Sequence, residues 1–311
     1  MGSNSKFPAF IALSSLSVLI LVSGILLLYF AIDIHRTGWI DVVDSYYEDT
    51  SSHTVITLIK VLGGFVIGLG LLGLVAAFMK SNIVLMAFSG LSAVFMILLL
   101  VVTVSGYLIS SRADDWQKRP FPVNLDEVNI KNGFERAYCY AQGAFICNEI
   151  PLQATAGTML SREVVATLVG IVGSEASLGT TCNQALNNPM ITRLNGIAAA
   201  CSGCSFTTQT AEYWGVMEWS NEQCPRTNDI LIWCGSRLVT GMENTLVGAN
   251  PYFMCRNRVL GKLEAYGNKL GSGALVGAFA ALLAIGAAVL LRGAKEETGD
   301  GYTQNPESHF F

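Results

Sequence analysis

The chain has 311 residues, 51% of them hydrophobic and 14% charged, with a mean hydropathy of +0.46 and a net charge of −4. A water-soluble domain carries about 25% charged residues, so the composition excludes an ordinary soluble protein. The wealth of apolar side chains excludes disorder, and the small negative charge excludes a strongly basic nucleic-acid binder.

The missing charge is concentrated in four runs, each long enough to cross a hydrocarbon core that needs about 20 apolar residues. Residues 1–6 form a short N-terminal segment, and residues 7–32 form the first predicted span, without a charge. A signal peptide has an apolar stretch of about 7–15 residues ending in small side chains. This run is longer and ends in Phe30, Ala31 and Ile32, so it reads as a retained signal anchor. Small residues Ser17, Gly24 and Ala31 recur in it every seven positions.

Residues 33–53 are a small loop, followed by a second span at 54–79 whose one charge is Lys60. A lysine near a span's end reaches the interface with its head group. Gly63, Gly70 and Ala77 repeat the seven-residue spacing, with Gly64 and Gly68 alongside. Small residues let helices in lipid approach closely, and a seven-residue period keeps one face on a partner. The two stripes therefore predict an antiparallel contact between spans one and two. Gly68, Gly70 and Gly73 also spell a dinucleotide-binding fingerprint. Inside an apolar span, however, the helix consumes the amides such a motif would offer to phosphate.

A turn at 80–82 leads to the third span at 83–109, and the fourth lies at 270–291, where Gly273 and Gly277 again offer small-residue packing. Residues 110–269 are a large loop, and residues 292–311 a tail on the same side as the N-terminus. Basic residues flank the spans on both sides, so charge counting does not orient the chain. Cysteine does. All eight cysteines (Cys139, Cys147, Cys182, Cys201, Cys204, Cys224, Cys234, Cys255) fall in the large loop. An even set confined to one loop reads as a disulfide framework, which persists in an oxidising compartment. The expectation is a multi-pass protein of the plasma membrane or an endomembrane, with both loops exoplasmic or lumenal and both termini cytosolic. Eight cysteines allow 105 pairings, and spacing does not choose among them.

Within the large loop, the third span is expected to continue as a helix through Lys118 until Pro120 and Pro122 stop it. Asn250-Pro251 has the form of a helix start. A helix running from there through the fourth span would be about 60 Å long, so spans three and four are expected to project as a two-helix stalk. Ser161 can cap a helix over 160–172, and residues 200–248 read as irregular and disulfide-held. The fold class is thus an all-α membrane protein: a four-helix bundle with a large, disulfide-rich, mainly helical loop between spans three and four.

No catalytic constellation emerges. The three histidines, His35, His53 and His309, lie outside the large loop, which removes Ser-His-Asp, Cys-His and His-metal sites there. Cys201 and Cys204 match zinc spacing only loosely. No ionisable residue sits at mid-span, as a pump or carrier requires, and no glycosylation sequon occurs. The chain reads as a non-enzyme with no metal.

This arrangement of spans and loops, with the glycine-laden second span (Gly63, Gly64, Gly68, Gly70, Gly73), the Lys80-Ser81-Asn82 turn and an apolar third span, resembles the tetraspanin family. The resemblance covers the whole topology and is strongest over residues 61–100. The family's Cys-Cys-Gly motif is absent, and Cys201-Ser202-Gly203-Cys204 stands in its place, so the chain resembles a divergent member. It also lacks the family's usual polar residues within spans one, three and four and its palmitoylated cysteines at the cytosolic boundary. The resemblance implies a scaffold that binds other integral membrane proteins laterally, as a homo- or hetero-oligomer, with no cofactor beyond a lipid or sterol between the spans. It implies a bridge from Cys201 or Cys204 to Cys255. It places partner binding in the middle of the large loop, at 182–234, where Phe206, Tyr213, Trp214, Trp219 and Trp233 have the character of hot-spot residues; the alternative is that these rings fill the loop's own core. Two other functional classes compete: a fixed structural subunit of a larger membrane assembly or array and, ranked below it, a four-span channel lined by serine and threonine.

Overall fold

The computed structural model describes residues 6–44, 52–79, 81–156, 159–185, 189–205, 213–224, 227–240 and 250–299. In chain order the helices are α1 (Lys6–Arg36), α2 (Trp39–Asp44), α3 (Ser52–Met79), α4 (Asn82–Lys118), α5 (Leu125–Asn148), α6 (Arg162–Val172), α7 (Leu178–Ala185), α8 (Pro189–Thr192), α9 (Ile197–Ser205), α10 (Trp214–Gln223), α11 (Asn228–Thr240) and α12 (Pro251–Gly299). Four of them, α1, α3, α4 and α12, carry windows long and apolar enough to cross a membrane. Helix is the natural state for such segments, because lipid offers no partner for an unpaired backbone amide or carbonyl. The chain divides into two compact units.

The span unit comprises Met1–Ile32, Ile56–Asp114 and Leu263–Phe311. Its interior is filled by Leu13, Ile20, Val66, Leu69, Phe88, Leu99 and a run of alanines on α12 (Ala274, Ala278, Ala281, Ala284, Ala288). The opposite faces leave Leu26, Phe65, Phe78, Val94 and Leu283 exposed, the inverse of a soluble bundle and the pattern that lipid favours. Helix α1 lies against α3 through glycine. A methyl group on Gly24 would sit 2.8 Å from the Ile67 amide nitrogen, one on Gly70 2.8 Å from that of Leu21, and one on Gly73 would meet the Ser17 hydroxyl. As the α1 residue number falls the α3 number rises, so the pair is antiparallel. Gly64 and Gly68 face open space instead.

A second seam joins α4 to α12. A methyl group on Gly106 would lie 2.6 Å from the Gly271 amide nitrogen, and one on Gly267 would lie 2.7 Å from both the Gly106 carbonyl oxygen and the Ser110 amide nitrogen. Backbone contact this close admits only glycine on the approaching face. The Ser110 hydroxyl donates to Asn268 Oδ1 at 2.9 Å beside it. Between α1 and α12, the Ser23 hydroxyl donates to the Gly273 carbonyl oxygen at 3.2 Å and lies over Gly277.

The loop unit comprises Asp33–Val55 and Asp115–Lys262. Its central element is α5, against which α2, α7, α9, α10 and α11 pack. Asn124 caps α5: its Oδ1 accepts from the Glu127 amide at 3.0 Å, while Glu127 Oε2 accepts from the Val123 amide at 2.9 Å, a reciprocal arrangement that satisfies two helix-start donors. Farther along the chain, Ile146, Leu152, Leu160, Val165, Leu168, Leu178, Ile191 and Ile197 form an apolar cluster. Ser161 caps α6. The Asn250 side chain accepts from the Tyr252 amide at 2.9 Å at the start of α12.

Two expectations need correction. The described residues between 200 and 248 are mainly helical (the end of α9, then α10 and α11) rather than irregular. In addition, α5, the longest helix lying wholly within this unit, goes beyond the helices expected there, although Asn124 followed three residues later by Glu127 has the form of a helix start.

Candidate functional site

The chemistry of the loop unit is that of cross-linking. Its eight cysteines form four bridges: Cys139–Cys234, Cys147–Cys204, Cys182–Cys201 and Cys224–Cys255. The first two tie α5 to α11 and to α9, the third ties α7 to α9, and the fourth fixes the end of α10 to α12. Cys255 therefore pairs with Cys224, not with Cys201 or Cys204 as the resemblance implied. The reason is positional: α9 carries both cysteines of Cys201-Ser-Gly-Cys204 against α5 and α7, where Cys147 and Cys182 wait.

A polar stripe runs along the buried side of α5. Glu127, Lys131, Glu135 and Gln142 are all buried. Glu127 Oε1 accepts from Arg256 Nε at 2.6 Å and from the Tyr252 hydroxyl at 3.1 Å, and the Arg256 guanidinium also donates to the Trp116 carbonyl oxygen. Glu135 Oε2 accepts from Lys131 Nζ at 3.1 Å and from Arg237 Nη1 at 3.0 Å. Its Oε1 has no hydrogen-bond partner in the geometry. Burial raises the Glu135 carboxyl above its ordinary range, opposed by the Lys131 and Arg237 charges and by the neighbouring Asn250 amide. Taking such charges out of water costs solvation that their attraction only partly recovers, so these pairs are weak evidence of added stability.

The aromatic residues proposed for partner binding occupy different places. Trp233 is 2% exposed, with the Arg237 guanidinium 5.4 Å from its ring centroid. Tyr213 is 8% exposed and neighbours Tyr140. Both belong to the unit's interior. Trp219 is half-buried and stands edge-on to Trp39 at 4.9 Å. Trp214 begins α10, and Phe206 lies outside the described residues. Trp39 itself, on the short α2, is 1% exposed and contacts Phe134 as well. Sequence reading passed over Trp39 because a six-residue helix has too few turns to show a period. The small loop is thus a structural part of this unit, and Gly215 leaves room for it: a methyl group there would lie 2.6 Å from Thr37 Cα.

The packing residues of the spans are placed as follows. Ser17, Ala31 and Ala77 are buried; Gly24, Gly63 and Gly70 lie at the α1–α3 contact, and Gly277 beneath Ser23. A methyl group on Gly273 would meet nothing within 4 Å, so its contribution is its carbonyl oxygen. Gly106, Gly267 and Gly271 were missed, although the Gly267-x-x-x-Gly271 spacing is a legible small-residue signal. Lys60 is half-buried on α3.

The loop unit also bears a groove of about 640 Å³. Met159, Leu160 and Val164 line one wall; Arg193, Leu194 and Gly196 line the other. Among the described residues no group of histidine, cysteine, aspartate or glutamate could hold a metal ion.

Comparison with known proteins adds one positive finding. A family model described as the Tetraspanin family matches residues 11–293. No curated protein and no solved structure matches the chain. With nearly the whole sequence under one family model, four apolar helices and a large loop closed by four disulfides, this multi-pass membrane protein belongs to the tetraspanin family.

Proposed function

We propose that the chain is a non-enzymatic lateral organiser that holds other integral membrane proteins beside it through its spans and its large loop. The observation that carries this reading is the contrast within the span unit. Its buried side chains are chiefly alanine, leucine and Phe88, with Ser17, Ser23, Ser92 and Thr103 also buried, while bulky apolar side chains such as Leu26, Phe65 and Phe78 project outward. A filled interior favours a scaffold over a channel, and an outward apolar surface is what a neighbouring span or a lipid or sterol would meet. The large loop would stand on the exoplasmic or lumenal side, because four disulfides persist only where thiols are not kept reduced.

Purification from cells in mild detergent tests the proposal. The expected result is one or more membrane proteins recovered in stoichiometric amount, with sterol or phospholipid retained. Recovery of an isolated monomer would overturn it, and a single partner at constant ratio would favour the fixed-subunit reading. Protease added to intact cells should cut the large loop and spare the tail; the opposite pattern would reverse the orientation.

A further inference from the structure

The four bridges differ in how they meet solvent. Cys139, Cys234, Cys147 and Cys204 are buried, and in the Cys224–Cys255 pair Cys255 is buried too. Cys182 and Cys201 are both half-buried, so theirs is the bridge in which neither residue is fully buried, although both also pack against the loop unit's apolar cluster. It also closes the shortest loop, with a sequence separation of 19 against 31, 57 and 95 for the others. A shorter loop restricts the unfolded chain less, so breaking its bridge costs the least stability.

That short loop has a specific content. It contains α8 and the turn Arg193–Gly196, and this turn supplies one wall of the groove, the other being Met159–Val164. Ile191 and Ile197 anchor the loop in the apolar cluster on either side of the turn, with Gly196 in a left-handed conformation at φ +84°. Cleaving the bridge would leave those two anchors and remove the covalent tie between α7 and α9.

We propose that Cys182–Cys201 is a redox-labile bridge that controls the shape of this groove. This inference goes beyond the scaffold reading and does not depend on it. The reductant is a dithiol of the thioredoxin class. One of its thiolates attacks the sulfur of Cys182 or Cys201, the bridge breaks, and the other cysteine leaves as a thiolate that takes up a proton. The second thiol of the reductant then attacks the mixed disulfide. Two protein thiols and one oxidised dithiol result, two electrons having passed to the protein. Once released, the turn at Arg193–Gly196 keeps its apolar anchors and its backbone hydrogen bonds (the Leu194 amide to the Ile191 carbonyl, the Ile197 amide to the Leu194 carbonyl) but loses its covalent tether, and the groove opens or closes with the redox state around it.

The test uses the full chain in lipid nanodiscs, treated for graded times with thioredoxin recycled by its reductase. Free thiols are then trapped with N-ethylmaleimide and mapped by mass spectrometry. Cys182 and Cys201 should be labelled at least about ten-fold faster than the other six cysteines, since exchange depends on access to the attacked sulfur. Labelling of another pair first, or of all four bridges together, would overturn the proposal. Trypsin gives the second readout. Cleavage after Arg193 should rise several-fold once the bridge is selectively reduced, and should be high without reductant in the Cys182→Ser/Cys201→Ser double variant with its three remaining bridges intact. Unchanged cleavage after selective reduction would sink the link to the groove, and should the double variant fail to fold, the reduction series decides alone.

Discussion

Glu135 on α5 and Arg237 on α11 meet at 3.0 Å, one helical turn from the Cys139–Cys234 bridge that joins the same two helices. The covalent and ionic links thus fix both the separation and the rotation of α11 on α5. Removing one of the two cationic partners leaves the buried Glu135 carboxyl with Lys131 alone, so Arg237→Ala is expected to destabilise the loop unit by about 3 kcal/mol. Chemical denaturation of the detergent-solubilised protein would measure it, and a loss below about 1 kcal/mol would mean that Lys131 alone satisfies Glu135.

The same carboxyl predicts a pH dependence. Its folded-state value is raised above 4.5 by burial, so the folded protein binds this proton more tightly than the unfolded chain. The stability it contributes is complete below 4.5 and is lost as pH rises through the higher folded-state value. Glu135→Gln cannot ionise and should flatten the melting temperature in that window. Identical pH profiles for the two proteins would show that Glu135 does not titrate there.

Trp39 supplies the third prediction. It is enclosed by Phe134 and Trp219 and belongs to a loop far from both in sequence. Trp39→Ala removes a large buried ring and is expected to cost about 3–5 kcal/mol. Hydrogen exchange should report lost protection across α5 and α10. A variant with wild-type protection in those helices would show that the small loop rests on the unit without supporting it.

The spans and the staple were legible in the sequence for simple reasons. Twenty or more apolar residues in a row admit few other readings, and eight cysteines in one loop announce cross-links. Pairing was not legible, because it depends on which helices α9 lies against. Nor was α5 beyond its start, for a physical reason: its inward face carries Glu127, Lys131, Glu135 and Gln142, so the apolar period that marks an amphipathic helix is broken by the ion pairs the helix makes. The aromatic residues were read for character alone. Trp219 and Trp233 look alike in sequence, and only packing sends one ring to Trp39 and buries the other under Arg237.

The α4–α12 seam predicts a steep dependence on side-chain size. A Cβ at Gly267 would fall 2.7 Å from the Gly106 carbonyl oxygen and the Ser110 amide nitrogen, both rigid backbone atoms. Gly267→Val should therefore cost about 1–3 kcal/mol or more through forced separation of the helices. Gly64→Ala, facing open space, should be near neutral and serves as the control. Thermal melting in detergent compares them, and equal melting temperatures would dissolve the seam.

Glu127 and Arg256 allow the sharpest separation of stability from orientation. Arg256→Met leaves a fully buried carboxylate with only the Tyr252 hydroxyl and the Val123 amide to satisfy it, an expected loss of about 3–5 kcal/mol. Glu127→Leu leaves the guanidinium with the Trp116 carbonyl but also unpairs the Tyr252 hydroxyl and the Val123 amide, so its loss should be comparable. Combining the two removes both buried charges, so the double variant should lose less than the sum of the single losses, with the remaining deficit set by the unpaired Tyr252 hydroxyl and Val123 amide. The coupling from such a double-mutant cycle should therefore be large. If the losses simply add, each residue is held by its other partners, and the start of α12 is positioned by packing and by its Cys224–Cys255 bridge to the end of α10 rather than by this pair.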